Sequence, residues 1–137
     1  MPSQNHITLS EKETIFLAKN MACKFNGHEV ILLTGDLGAG KTIFAKGIAL
    51  GLGLKNTHQV CSPSYTILNI YNAKFDIYHF DFYRISKEET SQLGWEDYIG
   101  CGVIVVEWAE KINYDGKAFR IKIKIGKEEE RIIQIDY

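Results

Sequence analysis

The segment Gly35-Asp36-Leu37-Gly38-Ala39-Gly40-Lys41-Thr42 carries the plainest chemistry in this sequence. Its glycines let the backbone curl so that successive N–H groups point inward at anionic oxygens. A helical pattern follows, and a helix N-terminus carries partial positive charge that favours an anion. Lys41 adds a compact positive charge for the β- and γ-phosphates of a nucleotide, and the Thr42 hydroxyl can ligate Mg²⁺. The pattern G-x-x-x-x-G-K-[S/T] is met in full. All eight residues are therefore expected to bind ATP, with Lys41 also acting on the reacting phosphate and Mg²⁺ as cofactor.

A nucleotide site of this kind needs an acidic group to hold the metal directly or through water. Glu107 ends the apolar run Val103-Ile104-Val105-Val106, and ligands of open α/β sheets sit beyond the carboxyl ends of strands. Glu107 is thus the expected second metal residue beside Thr42, and a catalytic one. Asp81 is the other candidate. His79, Asp81 and Tyr83 alternate on one face of their segment, with Tyr78, Phe80 and Phe82 on the other. An acid within such a strand needs a partner. Asp81 either orients the attacking water, organises the Mg²⁺ shell, or is a solvated strand-end acid. His79 reads as a structural hydrogen-bonding residue rather than a catalyst, and Arg84 as half of a surface ion pair rather than a source of positive charge for the transition state. Ser62-Pro63-Ser64-Tyr65-Thr66 is either a loop that senses the γ-phosphate through Ser64 or Thr66, or a plain turn into a strand.

The elements that must position these groups follow from periodicity. Ser10 and Glu13 have capping-box spacing, ahead of an amphipathic helix ending near Gly27. Val30–Leu33 is a short buried strand leading into the glycine loop. Ile43, Phe44, Ile48 and Leu52 give the next helix, with Gly51 and Gly53 marking its stop. Strands are expected over Tyr65–Tyr71 and Phe75–Tyr83, joined tightly at Asn72-Ala73-Lys74. A helix opens at Ser86 and runs through Leu93, with a further turn at Trp95–Ile99. Gly102–Glu107 is a second buried strand, and 119–125 with 132–137 a terminal hairpin. The sum is an α/β fold: a mixed, mostly parallel sheet flanked by helices, with β-hairpins, in one domain over residues 1–137.

Composition excludes several classes. The 137 residues are 45% apolar and 24% charged, with formal net charge −1 and three arginines (Arg84, Arg120, Arg131). A chain that grips nucleic acid alone usually has a clear basic excess, so direct tight RNA binding is not expected. No apolar run approaches the ~20 residues that span a bilayer, and the first residues lack a secretory pattern. A cytoplasmic protein is expected. Cys23, Cys61 and Cys101 form no C-x-x-C pair and read as reduced, partly buried thiols.

With these residues in view, the chain resembles the TsaE (YjeE) family, small bacterial ATPases of tRNA threonylcarbamoyladenosine biosynthesis. The resemblance rests on Leu33–Thr42, Ser62–Thr66, His79-Phe80-Asp81-Phe82-Tyr83-Arg84, Leu93–Tyr98 and Val106-Glu107-Trp108-Ala109-Glu110-Lys111, in that order. It implies Lys41 and Thr42 on Mg·ATP, Glu107 as a Mg²⁺ ligand, Asp81 as a catalytic or metal-organising acid, and a switch-like Ser62–Thr66 loop. It places an adenine pocket near Thr8–Ser10. It also implies a partner, the TsaB–TsaD complex, whose turnover ATP hydrolysis supports; tRNA is met through that complex. Gln92 stands where an acid often precedes Leu-Gly, Ser64 where threonine is common, and no Leu-Pro motif follows Lys111. Two other classes compete: a small-molecule kinase, which would need an acceptor site and an arginine-rich lid, and a nucleotide switch without useful catalysis. The absence of an N-K-x-D pattern favours adenine over guanine.

Overall fold

A computed structural model describes residues 3–137. Seven strands form one sheet in the order β1-β7-β6-β2-β5-β4-β3. They are β1 (Gln4–Thr8), β2 (Val30–Gly35), β3 (Leu68–Asn72), β4 (Asp76–Asp81), β5 (Val103–Glu107), β6 (Phe119–Ile125) and β7 (Arg131–Asp136). The central strands β6, β2, β5 and β4 run parallel, and the antiparallel pairings lie at the two sides. This is the mixed sheet with a parallel core and hairpins that the sequence predicts.

β2 and β5 are buried on both faces, which explains their unbroken Val/Ile/Leu runs. On one face lie α1 (Glu11–Ala22) and α2 (Lys41–Gly51), packing Phe44, Ile48 and Leu52 against Ile31, Leu33, Ile121 and Ile123. On the other, Phe82, Trp95 and Tyr114 cover Leu32, Ile104 and Val106. That face also receives α3 (Lys87–Gln92) and short 3-10 turns at Trp95–Tyr98 and Ala109–Lys111.

Local chemistry sets the helix ends. The Ser10 hydroxyl accepts from Glu13 N at 3.1 Å, while the Glu13 carboxylate reaches past Ser10 to the Leu9 amide at 3.0 Å. Ser86 and Glu89 form the complete reciprocal box at the start of α3. The two glycines expected to end α2 divide the work. Gly53, at φ +90°, is the left-handed stop. Gly51 is the last helical residue and, like Gly47, lies against α1. A Cβ on Gly47 would stand 2.5 Å from both Ala18 Cβ and the Ile15 carbonyl. Gly47→Ala gains helix propensity of about 1 kcal/mol against overpacking of about 1–3 kcal/mol. On balance it is expected to destabilise the protein by up to about 2 kcal/mol, read as a lower urea midpoint at unchanged slope.

Three expectations change. β3 begins at Leu68, not Tyr65, because 64–66 turn and Ile67 takes φ +70°, an uncommon backbone for a β-branched residue. β1 is a strand the sequence did not announce: its residues are polar or exposed, and it pairs with β7 at the sheet edge. Cys23, Cys61 and Cys101 are free but exposed rather than partly buried. Among the described residues no helix is long and apolar enough to cross a membrane.

Candidate functional site

Three strands end at one place. Gly35 closes β2, Glu107 closes β5 and Asp81 closes β4. In register, Glu107 stands opposite Leu33 on one side and Asp81 on the other. The loop from β2 passes over these ends into α2. It needs glycine where it bends most, at Gly38 (φ +79°) and Gly40 (φ +111°). A Cβ built on either would meet no protein atom within 4 Å. These glycines therefore serve loop shape and whatever lies against the loop, not protein packing.

A cavity of about 420 Å³ opens here. Leu37, Gly38, Gly40, Lys41 and Thr42 line it from the loop, and Asp81, Glu107, Ser62, Ser64, Arg84 and Trp108 from the sheet side. The remaining loop residues shape it from behind. Ala39 is fully buried, the Gly35 amide donates to Glu110 Oε2 at 3.1 Å, and the Gly35 and Asp36 carbonyls receive the Lys41 ammonium at 2.6 and 2.9 Å. The ammonium also sits 4.2 Å from the Trp108 ring centre, and Trp108 takes an unusual φ of +62° there. Burial holds Lys41 below the ordinary lysine pKa, against the raising effect of the Glu110, Glu107, Asp81 and Asp36 carboxylates.

Lys41, Glu107 and Asp81 are 5%, 3% and 2% exposed, and buried charge needs partners. Glu107 has them on both sides. The Thr42 hydroxyl lies 3.0 Å from each of its carboxylate oxygens. His79 Nε2 lies 2.6 Å from Oε2. His79 Nδ1 in turn meets the Tyr71 hydroxyl at 2.9 Å. Burial raises the Tyr71 phenol pKa, so the hydroxyl keeps its proton and can donate to the ring. His79 is thus a structural hydrogen-bonding residue that orients Glu107. Asp81 accepts from the Ser62 hydroxyl through Oδ2 and from the Tyr83 amide at 2.8 Å through Oδ1.

Around this centre the geometry divides the candidates. Ser64 lines the cavity, whereas Thr66 turns to Asn69 at 3.1 Å. Among the described residues Arg84 makes no ion pair; its guanidinium stacks 4.1 Å over Tyr65, which is 82% exposed. Lys111 donates to the carbonyls of Tyr83 and Ile85 at 2.7 and 2.6 Å, holding the backbone on both sides of Arg84. A second cavity of about 220 Å³ lies behind the glycine loop, beside Ser10, Glu11 and Thr14. Sequence reasoning missed Tyr71, Glu110 and Lys111 as contributors. Tyr71 had a usable signal: it lies two residues from the cross-strand partner of His79, on the same face.

The residues present suit Mg²⁺ with a triphosphate. A hydroxyl and a carboxylate face the pocket at the head of α2, and no group of three or more His, Cys, Asp or Glu side chains among the described residues forms a metal cage. Mg²⁺ takes few protein ligands and completes its shell with water and phosphate oxygens.

A parallel core with a glycine loop running from strand to helix, and an acid at the end of the neighbouring strand, define the P-loop class of α/β proteins. Residues 8–133 match the family model described as "Threonylcarbamoyl adenosine biosynthesis protein TsaE". Two relatives named tRNA threonylcarbamoyladenosine biosynthesis protein TsaE are similar over most of their length. That of Rickettsia prowazekii is 43% identical over 111 residues, covering 80% of this chain and 76% of the relative. That of Bacillus subtilis is 42% identical over 120 residues, covering 86% and 74%. The crystal structure of Bacillus subtilis YdiB superposes with a TM-score of 0.80 at 36% identity, covering 98% of this chain and 84% of that one. The chain belongs to the TsaE family of tRNA threonylcarbamoyladenosine biosynthesis.

Proposed function

We propose that this protein binds Mg·ATP in the 420 Å³ cavity and hydrolyses it, slowly alone and faster with the TsaB–TsaD complex, whose turnover on tRNA it supports. The observation that carries this reading is the Thr42 hydroxyl set on both carboxylate oxygens of a buried Glu107, one residue from the loop ammonium.

Each residue has a physical task. The glycine loop offers main-chain N–H groups to the phosphate oxygens. Lys41, already held at the loop, exchanges carbonyl partners for β- and γ-phosphate oxygens. Mg²⁺, held by Thr42 and facing Glu107, would supply positive charge against the charge that builds on those oxygens. His79, backed by Tyr71, keeps the Glu107 carboxylate aimed at the Thr42 side. Asp81 is fixed by Ser62 and the Tyr83 amide and orients water at the γ-phosphate side. The 220 Å³ cavity near Ser10 suits the adenine. Arg84 lines the cavity with no carboxylate partner among the described residues and would add positive charge there.

The kinase alternative lacks support from the arginines. Arg120 and Arg131 are engaged with main-chain carbonyls, which leaves Arg84 alone at the cavity. Phosphate release measured with and without TsaB–TsaD and tRNA tests the proposal. Catalysis completed by a partner typically raises turnover by orders of magnitude, so a gain of at least about tenfold is expected. An unchanged rate with a competent partner complex would sink the coupling, and a phosphorylated metabolite in place of free phosphate would sink hydrolysis.

A further inference from the structure

One side chain ties the terminal hairpin to the glycine loop. Arg131 opens β7, yet its Nε donates to the Ala39 carbonyl, 92 positions away in sequence, at 2.9 Å. Nη2 reaches the Gly38 carbonyl at 3.4 Å. Nη1 is anchored on its own hairpin, at the Glu130 and Glu128 carbonyls at 2.9 and 3.4 Å. Among the described residues no carboxylate lies within ion-pair distance of it. The guanidinium is thus devoted to main-chain oxygens, half of them in the loop.

The stereochemical effect follows from the peptide plane. In a trans peptide the C=O and N–H point in opposite directions, and among the described residues no peptide is cis. A donor on the Ala39 oxygen turns the Gly40 N–H away from Arg131, toward the other side of the loop. The bond to the Gly38 oxygen likewise turns the Ala39 N–H inward, where it meets the Asp36 carbonyl at 3.0 Å. Without such a hold these planes rotate easily, because glycine tolerates both signs of φ and loses more freedom on ordering than any other residue.

We propose that Arg131 is a positioning residue for triphosphate binding: it holds the outward carbonyls of Gly38 and Ala39, and so keeps the Gly40 amide aimed at the phosphates and the Ala39 amide closed on Asp36 in the turn that shapes the loop. The inference rests on the nucleotide reading above and deepens it. Arginine suits the task because its rigid planar fork can bind several carbonyls at once, whereas lysine presents a single point charge.

Arg131 also borders the 220 Å³ cavity with Ser10, Thr14 and Ile43, so a nucleoside there could touch the guanidinium directly. A probe without a base separates the two roles. Calorimetry with Mg·ATP and with Mg·tripolyphosphate, on wild type, Arg131→Ala and Arg131→Lys, is the test. Loss of charge-assisted bonds to the loop is expected to weaken both ligands about tenfold or more in Arg131→Ala, by the same factor for each, and less in Arg131→Lys. Weakened ATP with unchanged tripolyphosphate would assign Arg131 to the nucleoside and overturn the proposal. A lowered melting temperature with unchanged affinity of the folded protein for both ligands would make the contact merely structural and overturn it too. Should Arg131→Ala fail to fold, the tripolyphosphate affinity of Arg131→Lys decides alone: weakening supports the role, parity with wild type overturns it. If wild type itself binds neither ligand, the nucleotide reading falls and takes this inference with it. Normal wild-type binding beside unaffected variants defeats this inference alone.

Discussion

Lys41→Ala is expected to weaken Mg·ATP binding by at least about 100-fold and to abolish measurable hydrolysis. Hydrogen bonds to a charged group contribute about 1.5–3 kcal/mol each. The ammonium meets two main-chain oxygens at 2.6 and 2.9 Å before any ligand arrives and would exchange them for two phosphate oxygens. Losing two such bonds amounts to about two decades or more in affinity. Calorimetry supplies the readout, because the Trp108 ring, 4.2 Å from the ammonium in the wild type, loses that neighbour in the variant itself and cannot report binding there through it. The same substitution frees the Gly35 and Asp36 carbonyls, so a melting curve without ligand must accompany the titration. Wild-type affinity in a folded Lys41→Ala protein would remove this loop from the nucleotide site.

Glu107→Gln is expected to cut hydrolysis by about 100-fold or more while changing nucleotide affinity much less, with half-saturation by Mg²⁺ moving about tenfold upward. The substitution keeps side-chain volume but removes a charge beside the Thr42 hydroxyl and His79. It also places an amide N–H₂ where the carboxylate accepted donors from two directions. Glu107→Ala is the harsher test: His79 and Thr42 both lose a buried partner, at a stability cost of about 1–3 kcal/mol each. Steady-state turnover across a magnesium titration separates the two effects. Full activity in Glu107→Gln at ordinary magnesium would remove Glu107 from the metal shell.

The fold was legible wherever burial imposed a pattern. β2 and β5 are apolar over Val30–Leu33 and Val103–Val106 because both their faces are covered there, and 119–125 and 131–136 alternate because one of their faces is more open. β1 was not legible. It earns its place by main-chain pairing with β7, which leaves little mark on side-chain type. At the candidate site, residues joined by local spacing could be read from the sequence: the loop, Thr42 beside Lys41, and Glu107 at the end of its apolar run. Contacts that depend on tertiary closure could not. Nothing local predicts that Arg131 meets Ala39, that Glu110 takes the Gly35 amide, or that Ser62 reaches Asp81. Arg84 was misread for the same reason. Its partner is the face of Tyr65 rather than a carboxylate, and charge patterning in sequence is blind to aromatic faces.

Because Asp81 and Glu107 are direct neighbours in a parallel ladder, their separation is governed by the hydrogen-bonding pitch between strands, about 4.8 Å. Loop edits cannot retune it. Lengthening or shortening the connections at 84–102 or 108–118 would leave both acids level with one another, as teeth on a comb stay level whatever handle is fitted. A slip of a single residue in the β4–β5 register would be different in kind. It would turn one acid to the opposite side of the sheet from the other, and with it every side chain of the slipped strand, so the site and the core packed on that strand would be lost together.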